Sequence, residues 1–207
     1  MHILVTDRLA CARCGPEFGL ILLADELKER RLLEGALACS NCREQYPVEE
    51  GFGDLRPLPR NLQIVGKPTV PEDPEALLRL AALLGVIEGP GLLLIIGPSA
   101  RNASLLSRMI EGIEIVAVHP ELRGGLEQEG VSRIAIAGHL PFLTGSLRGV
   151  ALEGESNSLL LAEAVRVLGS GSRLVFLRPP EGTAAEMEDH EMKLLVEADD
   201  VLVGVRK

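Results

Sequence analysis

Four cysteines form two C-x-x-C pairs, Cys11/Cys14 and Cys39/Cys42, and the sequence contains no other cysteine. Each pair places two thiolates on one turn of backbone, and two such turns facing each other supply the four soft ligands of a closed tetrahedral zinc site. Two disulfides, a redox-active C-x-x-C and an iron–sulfur cluster would use the same residues. Redox motifs normally occur singly and the sequence shows no export signal, so the pattern favours structural zinc.

Residues beside the cysteines also suit a metal. Four thiolates on one divalent cation leave a net negative charge, which Arg13, inside the first pair, and Arg43, directly after the second, are expected to offset. Gly15 suits a bend with positive φ that turns backbone N–H groups toward the sulfurs. The start of the chain is therefore predicted to be built around this metal.

The composition indicates a cytoplasmic protein. Of 207 residues, 46% are hydrophobic, which is ample for a core, yet apolar runs such as residues 91–96 are far shorter than the roughly 20 residues of a membrane-spanning helix. The short apolar start is followed at once by Asp7 and Arg8, which is the wrong order for a signal peptide. We expect neither export nor a membrane partner.

Charge and aromatic content disfavour direct binding of nucleic acid. The net charge is −9, whereas affinity for a phosphate backbone comes mostly from clustered Lys and Arg. Aromatic residues make up only 2% of the chain, which leaves little for base stacking. A nucleic-acid-binding ribbon is therefore the least favoured function class.

The first segment, residues 1–56, reads as a zinc ribbon. Residues 20–33 alternate apolar and charged positions and predict either an amphipathic helix or two strands, and residues 37–39 and 46–48 predict short strands. The segment resembles the small zinc-ribbon proteins that activate tRNA, rRNA and release-factor methyltransferases. The matches are residues 9–14, residues 37–42 and Tyr46-Pro47-Val48 with Glu50 and Gly51. The resemblance implies a ribbon that docks on a methyltransferase domain and stabilises it.

A proline-rich segment, residues 57–74, separates the ribbon from the rest. Five prolines between residues 54 and 74 remove backbone donors and fix φ, which predicts an extended connector. Asp73 as N-cap and Pro74 as first helical residue then predict a helix over residues 75–84, ended by Gly85.

From residue 91 apolar strands alternate with helices, which indicates βαβ units and a buried parallel sheet. We predict strands at residues 92–96, 113–118, 132–136, 149–152 and 173–177. Helices are predicted at residues 102–110, 121–128 and 157–168, and a C-terminal antiparallel hairpin at residues 193–206.

Residues 75–207 resemble the class I S-adenosylmethionine (SAM)-dependent methyltransferases, particularly the compact group with a Leu-Pro-Phe motif. The matching segments, in the family's order, are residues 94–101, 115–120, Leu140-Pro141-Phe142 with Gly145-Ser146, 162–168 and 171–175. The resemblance implies a doubly wound, Rossmann-like sheet with a SAM pocket at the carboxyl ends of its first strands.

The positions that match this pocket depart from the family's pattern. The family has an acidic residue and three glycines around the first strand end, a carboxylate for the ribose hydroxyls after the second strand, and often an Asp before the Leu-Pro-Phe motif. In this chain Ile95 stands at the acidic position and Arg148 replaces a later acidic residue, while the pocket positions are held by Gly97, Ser99, Arg101, His119 and Ile136. Each lost buried polar contact costs about 1–3 kcal/mol, so the departures predict a degraded SAM pocket.

Candidates for catalysis are few. The family's Asn/Asp-Pro-Pro-aromatic run is missing after the fourth strand. Glu153 and Glu155 there could serve as bases, but the sequence favours solvated loop carboxylates. His119 and His139 are the two histidines expected at the carboxyl edge of the sheet. We assign no catalytic residue.

Together these features predict a zinc ribbon (1–56), a linker (57–74) and a methyltransferase-like α/β domain (75–207). The expected function is non-catalytic: the protein would bind, activate or scaffold a methyltransferase or another protein. The alternative is an active methyltransferase with a divergent pocket that still binds SAM.

Overall fold

The computed structural model describes residues 1–60, 74–154 and 158–207. Within these residues one mixed sheet is flanked by helices. The helices are α1 (Ile3–Thr6), α2 (Pro74–Leu84), α3 (Ala103–Met109), α4 (Ser158–Val167) and α5 (Thr183–Asp189). The strands are β1 (Ala10–Cys11), β2 (Gly15–Lys28), β3 (Arg31–Cys39), β4 (Gln45–Glu49), β5 (Phe52–Asp54), β6 (Glu88–Ile96), β7 (Glu111–Val118), β8 (Val131–Ala135), β9 (Leu147–Glu153), β10 (Leu168–Leu177), β11 (Met192–Ala198) and β12 (Val201–Arg206).

The sheet contains all twelve described strands in the order β1-β2-β3-β4-β5-β8-β7-β6-β9-β10-β12-β11. Strands β1 to β5 are antiparallel to one another, whereas β5, β8, β7, β6, β9 and β10 run parallel. From β6 the chain steps outward through β7 and β8, then returns to add β9 and β10 on the other side. The strand order therefore reverses between β6 and β9, which is where open α/β sheets bind ligands.

The predicted sheet is confirmed. The five predicted strands lie in β6 to β10 to within a residue, and the C-terminal hairpin is the antiparallel pair β11 and β12. The predicted helices at residues 75–84, 102–110 and 157–168 correspond to α2, to a 3₁₀ turn followed by α3, and to α4. Asp73 and most of the predicted linker lie at residues 61–73, outside the described residues, so the domain boundaries stay a prediction.

The helix predicted at residues 121–128 is wrong. Only a short 3₁₀ turn, Pro120–Leu122, forms there. Two glycines, Gly124 and Gly125, disfavour helix, and the guanidinium of Arg133 takes the carbonyl oxygens of Leu122 and Gly125 as acceptors. The segment is therefore held by a side chain of β8, a contact that sequence periodicity does not report.

Residues 20–33, open between helix and strands, form the antiparallel hairpin of β2 and β3. Lys28 pairs with Arg31, and the two residues between them, Glu29 and Arg30, have φ of 49° and 64°. Positive φ at both central positions gives a turn whose twist matches that of the strands. The first segment is thus a β ribbon.

Two apolar cores lie on opposite faces of the sheet. One face packs under α2 and α3 through residues such as Leu84, Leu106 and Ile115. The other core runs without a break from the ribbon into the parallel strands, and it includes Met1, Val5, Leu37, Tyr46, Val116, Ile134, Phe142 and Phe176. Ribbon and α/β domain therefore share one core on this face. Among the described residues, no helix has the length and apolar character needed to cross a membrane.

Candidate metal centre and cofactor crevice

The four cysteines meet at one end of the ribbon. Cys11 and Cys39 end β1 and β3, and the turns that follow bring Cys14 and Cys42 to face them. The four Sγ atoms lie within 4.8 Å of one another, with Cys11–Cys42 at 3.7 Å and Cys14–Cys39 at 3.9 Å. A tetrahedron with Zn–S bonds of about 2.3 Å has sulfurs about 3.8 Å apart, so the group fits zinc. The thiols are unpaired in this structure, since a disulfide needs sulfurs about 2.05 Å apart.

Hydrogen-bond donors surround two of the thiols. The Cys14 N–H donates to the Sγ of Cys11 at 3.3 Å, and the amide of Asn41 donates to the Sγ of Cys14 at 3.4 Å. The hydroxyl of Tyr46 lies 3.3 Å from the Sγ of Cys11. Burial alone would raise the pKa of Cys11, but the hydrogen bonds from Tyr46, Cys14 and Arg13 lower it to about 7. The surroundings of Cys11 thus favour a thiolate.

The charged residues beside the centre are linked through Glu44. Arg13 lies 3.7 Å from the carboxylate of Glu44, and the guanidinium of Arg60 reaches the same carboxylate at 3.2 Å. Arg60 also stacks over the ring of Tyr46, 5.5 Å from its centroid. Arg43, the second arginine that we expected to offset the thiolate charge, adopts φ of 61° in the turn after Cys42.

The ribbon joins the α/β sheet by direct strand pairing. Strand β5 runs parallel to β8 with Phe52, Gly53 and Asp54 opposite Arg133, Ile134 and Ala135. The Leu55 N–H continues the ladder to the carbonyl of Ala135 at 2.9 Å. The ribbon thereby covers the edge of β8 and its backbone donors and acceptors.

A second backbone contact ties the ribbon to the Leu140-Pro141-Phe142 motif. The Ala10 N–H donates to the carbonyl of Pro141 at 3.0 Å, and the Leu143 N–H donates to that of Arg8 at 2.9 Å. Leu9 and Phe142 form a bridge between these bonds and are both buried. The motif therefore packs directly against the residues that precede Cys11.

Two side chains of α4 hold the same motif from the other side. The carboxylate of Glu163 accepts from the Leu140 N–H at 2.8 Å, and Arg166 donates to the carbonyls of Leu140 and Phe142, both at 2.8 Å. Burial alone would raise the pKa of Glu163, but Arg166 beside it brings the pKa below its usual value. Sequence reasoning matched this helix to the family without assigning either residue a role.

A buried ionic cluster reinforces the junction. Arg31 of β3 donates to both oxygens of Glu114 on β7, at 3.2 and 3.1 Å, and also contacts Glu127 and the carbonyl of Val131. The hydroxyl of Ser132 donates to Glu114 at 2.6 Å. The side chains of Arg31 and Glu114 are 10% and 7% exposed. The charges are therefore paired and hydrogen-bonded across the two parts of the chain.

Gly97, the first of the residues matched to the SAM pocket, lies at the carboxyl end of β6, next to the carboxyl end of β9. Gly97 has φ of 102°, and a Cβ there would lie 2.2 Å from the carbonyl oxygen of Glu153. This position needs glycine because two strand ends approach closely.

Glu153, the last residue of β9, binds Ser99 of the loop after β6. One carboxylate oxygen of Glu153 accepts from the N–H of Ser99 at 2.6 Å and from its hydroxyl at 2.5 Å, while the other contacts Arg178. The side chain of Glu153 is 12% exposed. The prediction of a solvated carboxylate at Glu153 is therefore wrong, because the side chain turns inward to meet donors of the β6 loop. Glu155 lies outside the described residues.

Arg101 and His119 are also engaged within the chain. Arg101 pairs with Glu121 at 2.9 Å, and the Nδ1 of His119 accepts from the Glu121 N–H at 3.3 Å. Burial, together with the charge of Arg101, lowers the pKa of His119 and keeps its ring neutral. His139 lies 3.6 Å from Glu163 instead, so the two histidines have different partners.

Ile136 follows β8 and packs against the core shared with the ribbon. Four of the five residues matched to the SAM pocket, Gly97, Ser99, Arg101 and His119, thus follow the ends of the neighbouring strands β6 and β7. Sequence analysis missed Glu121, which binds Arg101 and His119, and Arg178, which binds Glu153. The only available signal for either was its position just after a predicted strand.

No protein-family model and no curated protein matches the sequence. Solved structures match the fold. Precorrin-6y C5,15-methyltransferase from Geobacter metallireducens is 15% identical with a TM-score of 0.53, covering 69% of this chain and 94% of its own. A geranyl diphosphate methyltransferase in complex with SAM is 13% identical with a TM-score of 0.50, covering 64% and 85%. A complex of the Haloferax volcanii Trm112 methyltransferase activator is 14% identical with a TM-score of 0.49, covering 62% and 87%. The first two similarities show that the chain has the fold of class I methyltransferases.

Proposed function

We propose that this protein is a zinc-binding, methyltransferase-fold module that does not catalyse methyl transfer and acts by binding another protein. The observation that carries the proposal is that the carboxylate of Glu153 binds the N–H and the hydroxyl of Ser99 between the carboxyl ends of β6 and β9. A cofactor bound there would need the N–H groups of the loop after β6 as donors, and its own acceptor would have to displace the carboxylate of Glu153 from the N–H of Ser99.

The other matched positions support the same conclusion. The guanidinium of Arg101 pairs with Glu121 where the family has glycine, and a neutral imidazole at His119 accepts one hydrogen bond where a carboxylate would accept several. Ile136 offers no polar group to an adenine. We infer that Gly97, Ser99, Arg101, His119 and Ile136 mark the remains of a SAM pocket.

The ribbon contact supports a binding role. In the small zinc-ribbon activators that this segment resembles, a separate ribbon docks on a methyltransferase. Here the ribbon pairs with β8 of its own chain and shares a core with it. We propose that residues 1–56 stabilise residues 75–207 through these contacts, with residues 57–74 as the linker between them. We also propose that a methyltransferase or another protein binds the surface that the two parts form together.

Zinc is the metal that we propose for Cys11, Cys14, Cys39 and Cys42, on the fit of the four sulfurs to a tetrahedron. Its role would be structural, because four protein ligands leave no open position for a substrate. Metal analysis of the purified protein should return one zinc per chain.

Calorimetric titration of the whole protein with SAM tests the loss of cofactor binding. We expect no detectable heat and no thermal shift. The test is sensitive, because a ligand that binds would stabilise the fold by about 2.7 kcal/mol at a hundred times its Kd. The matched variant is Arg101→Gly with His119→Asp, which restores two family residues. Micromolar binding of SAM by the natural sequence would overturn the proposal in favour of a divergent enzyme.

A further inference from the structure

Tyr46 is the only tyrosine in the chain, and the chain has no tryptophan. Tyr46 lies on β4 opposite Leu37 of β3, and Leu37 precedes Cys39 by two positions. Its side chain is fully buried, and its hydroxyl lies 3.3 Å from the Sγ of Cys11. A buried phenol therefore points at one of the four sulfurs.

A buried hydroxyl needs a hydrogen-bond partner, and the sulfur of Cys11 supplies it. A metal-bound thiolate has no proton to donate, so with a metal present the direction is fixed: the O–H of Tyr46 donates and the sulfur accepts. Such a bond spreads part of the thiolate's negative charge onto a neutral group. It also fixes the position that the sulfur takes on rotation about the Cα–Cβ bond of Cys11.

The ring itself is held in place by its neighbours. The guanidinium of Arg60 covers one face and is in turn fixed by Glu44 and by the carbonyl of Gln45 at 3.0 Å. The ring also belongs to the core that extends into the α/β domain. The hydroxyl is thus presented to Cys11 by a rigid support.

We propose that Tyr46 is a positioning residue of the metal centre: its hydroxyl orients the Cys11 thiolate and stabilises its charge, and so sets the affinity of the site for metal. This inference rests on the proposed zinc site. It goes further in assigning a distinct function to a residue that would otherwise only fill space.

The variant Tyr46→Phe separates the hydroxyl from the ring, because it keeps the packing and removes one oxygen. We expect zinc affinity, measured by competition with a chromogenic chelator, to fall by about 10–100-fold, as for other residues that support metal ligands. In the cobalt-loaded protein we expect the thiolate-to-metal charge-transfer band to shift, since one thiolate has lost a donor. A residue with a packing role alone would leave that band unchanged.

The natural protein provides a second measurement that needs no variant. Its near-ultraviolet absorption comes almost wholly from the phenol of Tyr46, because the other aromatic residues are four phenylalanines. Removal of zinc should shift this tyrosine band, since the hydroxyl then faces a sulfur that no longer binds a metal. Denaturation in the presence and absence of zinc gives the reference spectra of the exposed phenol.

Val48→Ala is the matched control, because Val48 is buried on the same strand and belongs to the same core. It should lower the stability of the ribbon and leave the cobalt spectrum unchanged. Equal zinc affinity and identical cobalt spectra for the natural protein and Tyr46→Phe would overturn the inference while leaving the zinc site in place. A natural protein that binds no zinc would instead overturn the proposed metal centre itself.

Discussion

Glu153 and Ser99 are joined across the point where the strand order of the sheet reverses. The same carboxylate oxygen accepts from the backbone N–H and from the hydroxyl of Ser99, at 2.6 and 2.5 Å. In an open α/β sheet this gap between neighbouring strands is the natural position for a ligand. Here the chain supplies its own acceptor, so the two strand ends are tied to each other.

The first prediction concerns this contact. Glu153→Ala leaves the partly buried donors of Ser99 without this acceptor, so we expect the free energy of unfolding to fall by about 1 kcal/mol. Urea titration followed by circular dichroism measures the change. Glu181→Ala removes an exposed carboxylate, so it serves as the control and should have little effect. A variant as stable as the natural protein would show that the contact contributes nothing.

Removal of the metal should loosen the Leu140-Pro141-Phe142 motif as well as the ribbon. Without zinc the residues before Cys11 lose their anchor, and the Leu143 amide then loses its acceptor, the carbonyl of Arg8. Hydrogen exchange with and without a chelator measures this. The Leu143 amide should exchange faster, whereas amides of β6 at the sheet centre should change least. Unaltered exchange at Leu143 in the metal-free protein would contradict the coupling.

The ionic cluster at the junction should be costly to break. Arg31→Met leaves Glu114 buried without its cation, which costs about 3–5 kcal/mol in comparable buried pairs. Adding Glu114→Gln should recover part of this loss, because the unpaired charge is then removed. Arg30→Met, at the exposed neighbouring position, is the control. Chemical unfolding of the three single variants and of the double variant gives their free energies of unfolding. If the losses caused by Arg31→Met and Glu114→Gln simply add in the double variant, the two side chains are not coupled.

Asp54 should make the ribbon junction sensitive to acid. Burial alone would raise the pKa of Asp54, but Arg56, whose guanidinium reaches it at 2.6 Å, lowers the folded-state pKa below the unfolded value. The stabilisation is therefore complete above the unfolded pKa and is lost as the pH falls through the folded pKa. Stability measured from neutral to strongly acidic pH should decline less for Asp54→Asn than for the natural protein. Parallel curves for the two proteins would contradict this.

The elements that the sequence predicts well are those fixed by local pattern. Cysteine spacing predicts the cluster because each C-x-x-C pair turns within four residues, and the apolar runs of β6 and β7 predict buried strands because no other short element buries both faces. For residues 20–33 the sequence does not distinguish a helix from strands, since the alternation of apolar and charged residues fits the periodicity of either element. In the structure a turn at Glu29 and Arg30 joins two strands, although neither residue type commonly adopts positive φ.

The contacts between the ends of the strands depend on tertiary structure. Glu153 reads as a loop carboxylate because its partner Ser99 is 54 residues away. The helix predicted after Pro120 does not form, because the carbonyl oxygens of Leu122 and Gly125 accept hydrogen bonds from Arg133 of β8. The pairing of β5 with β8 likewise joins segments that no local pattern relates. Each of these contacts becomes visible only when the sheet is assembled.

The parallel pairing of β5 with β8 has a consequence for assembly. Because both halves of this interface belong to one polypeptide, the ribbon meets its strand at a local concentration set by the linker and not by the amount of protein in the cell. Dilution cannot separate them, and a free ribbon from elsewhere would find the edge of β8 already taken. The association is thus insensitive to expression level, in contrast to any complex formed from two separate chains.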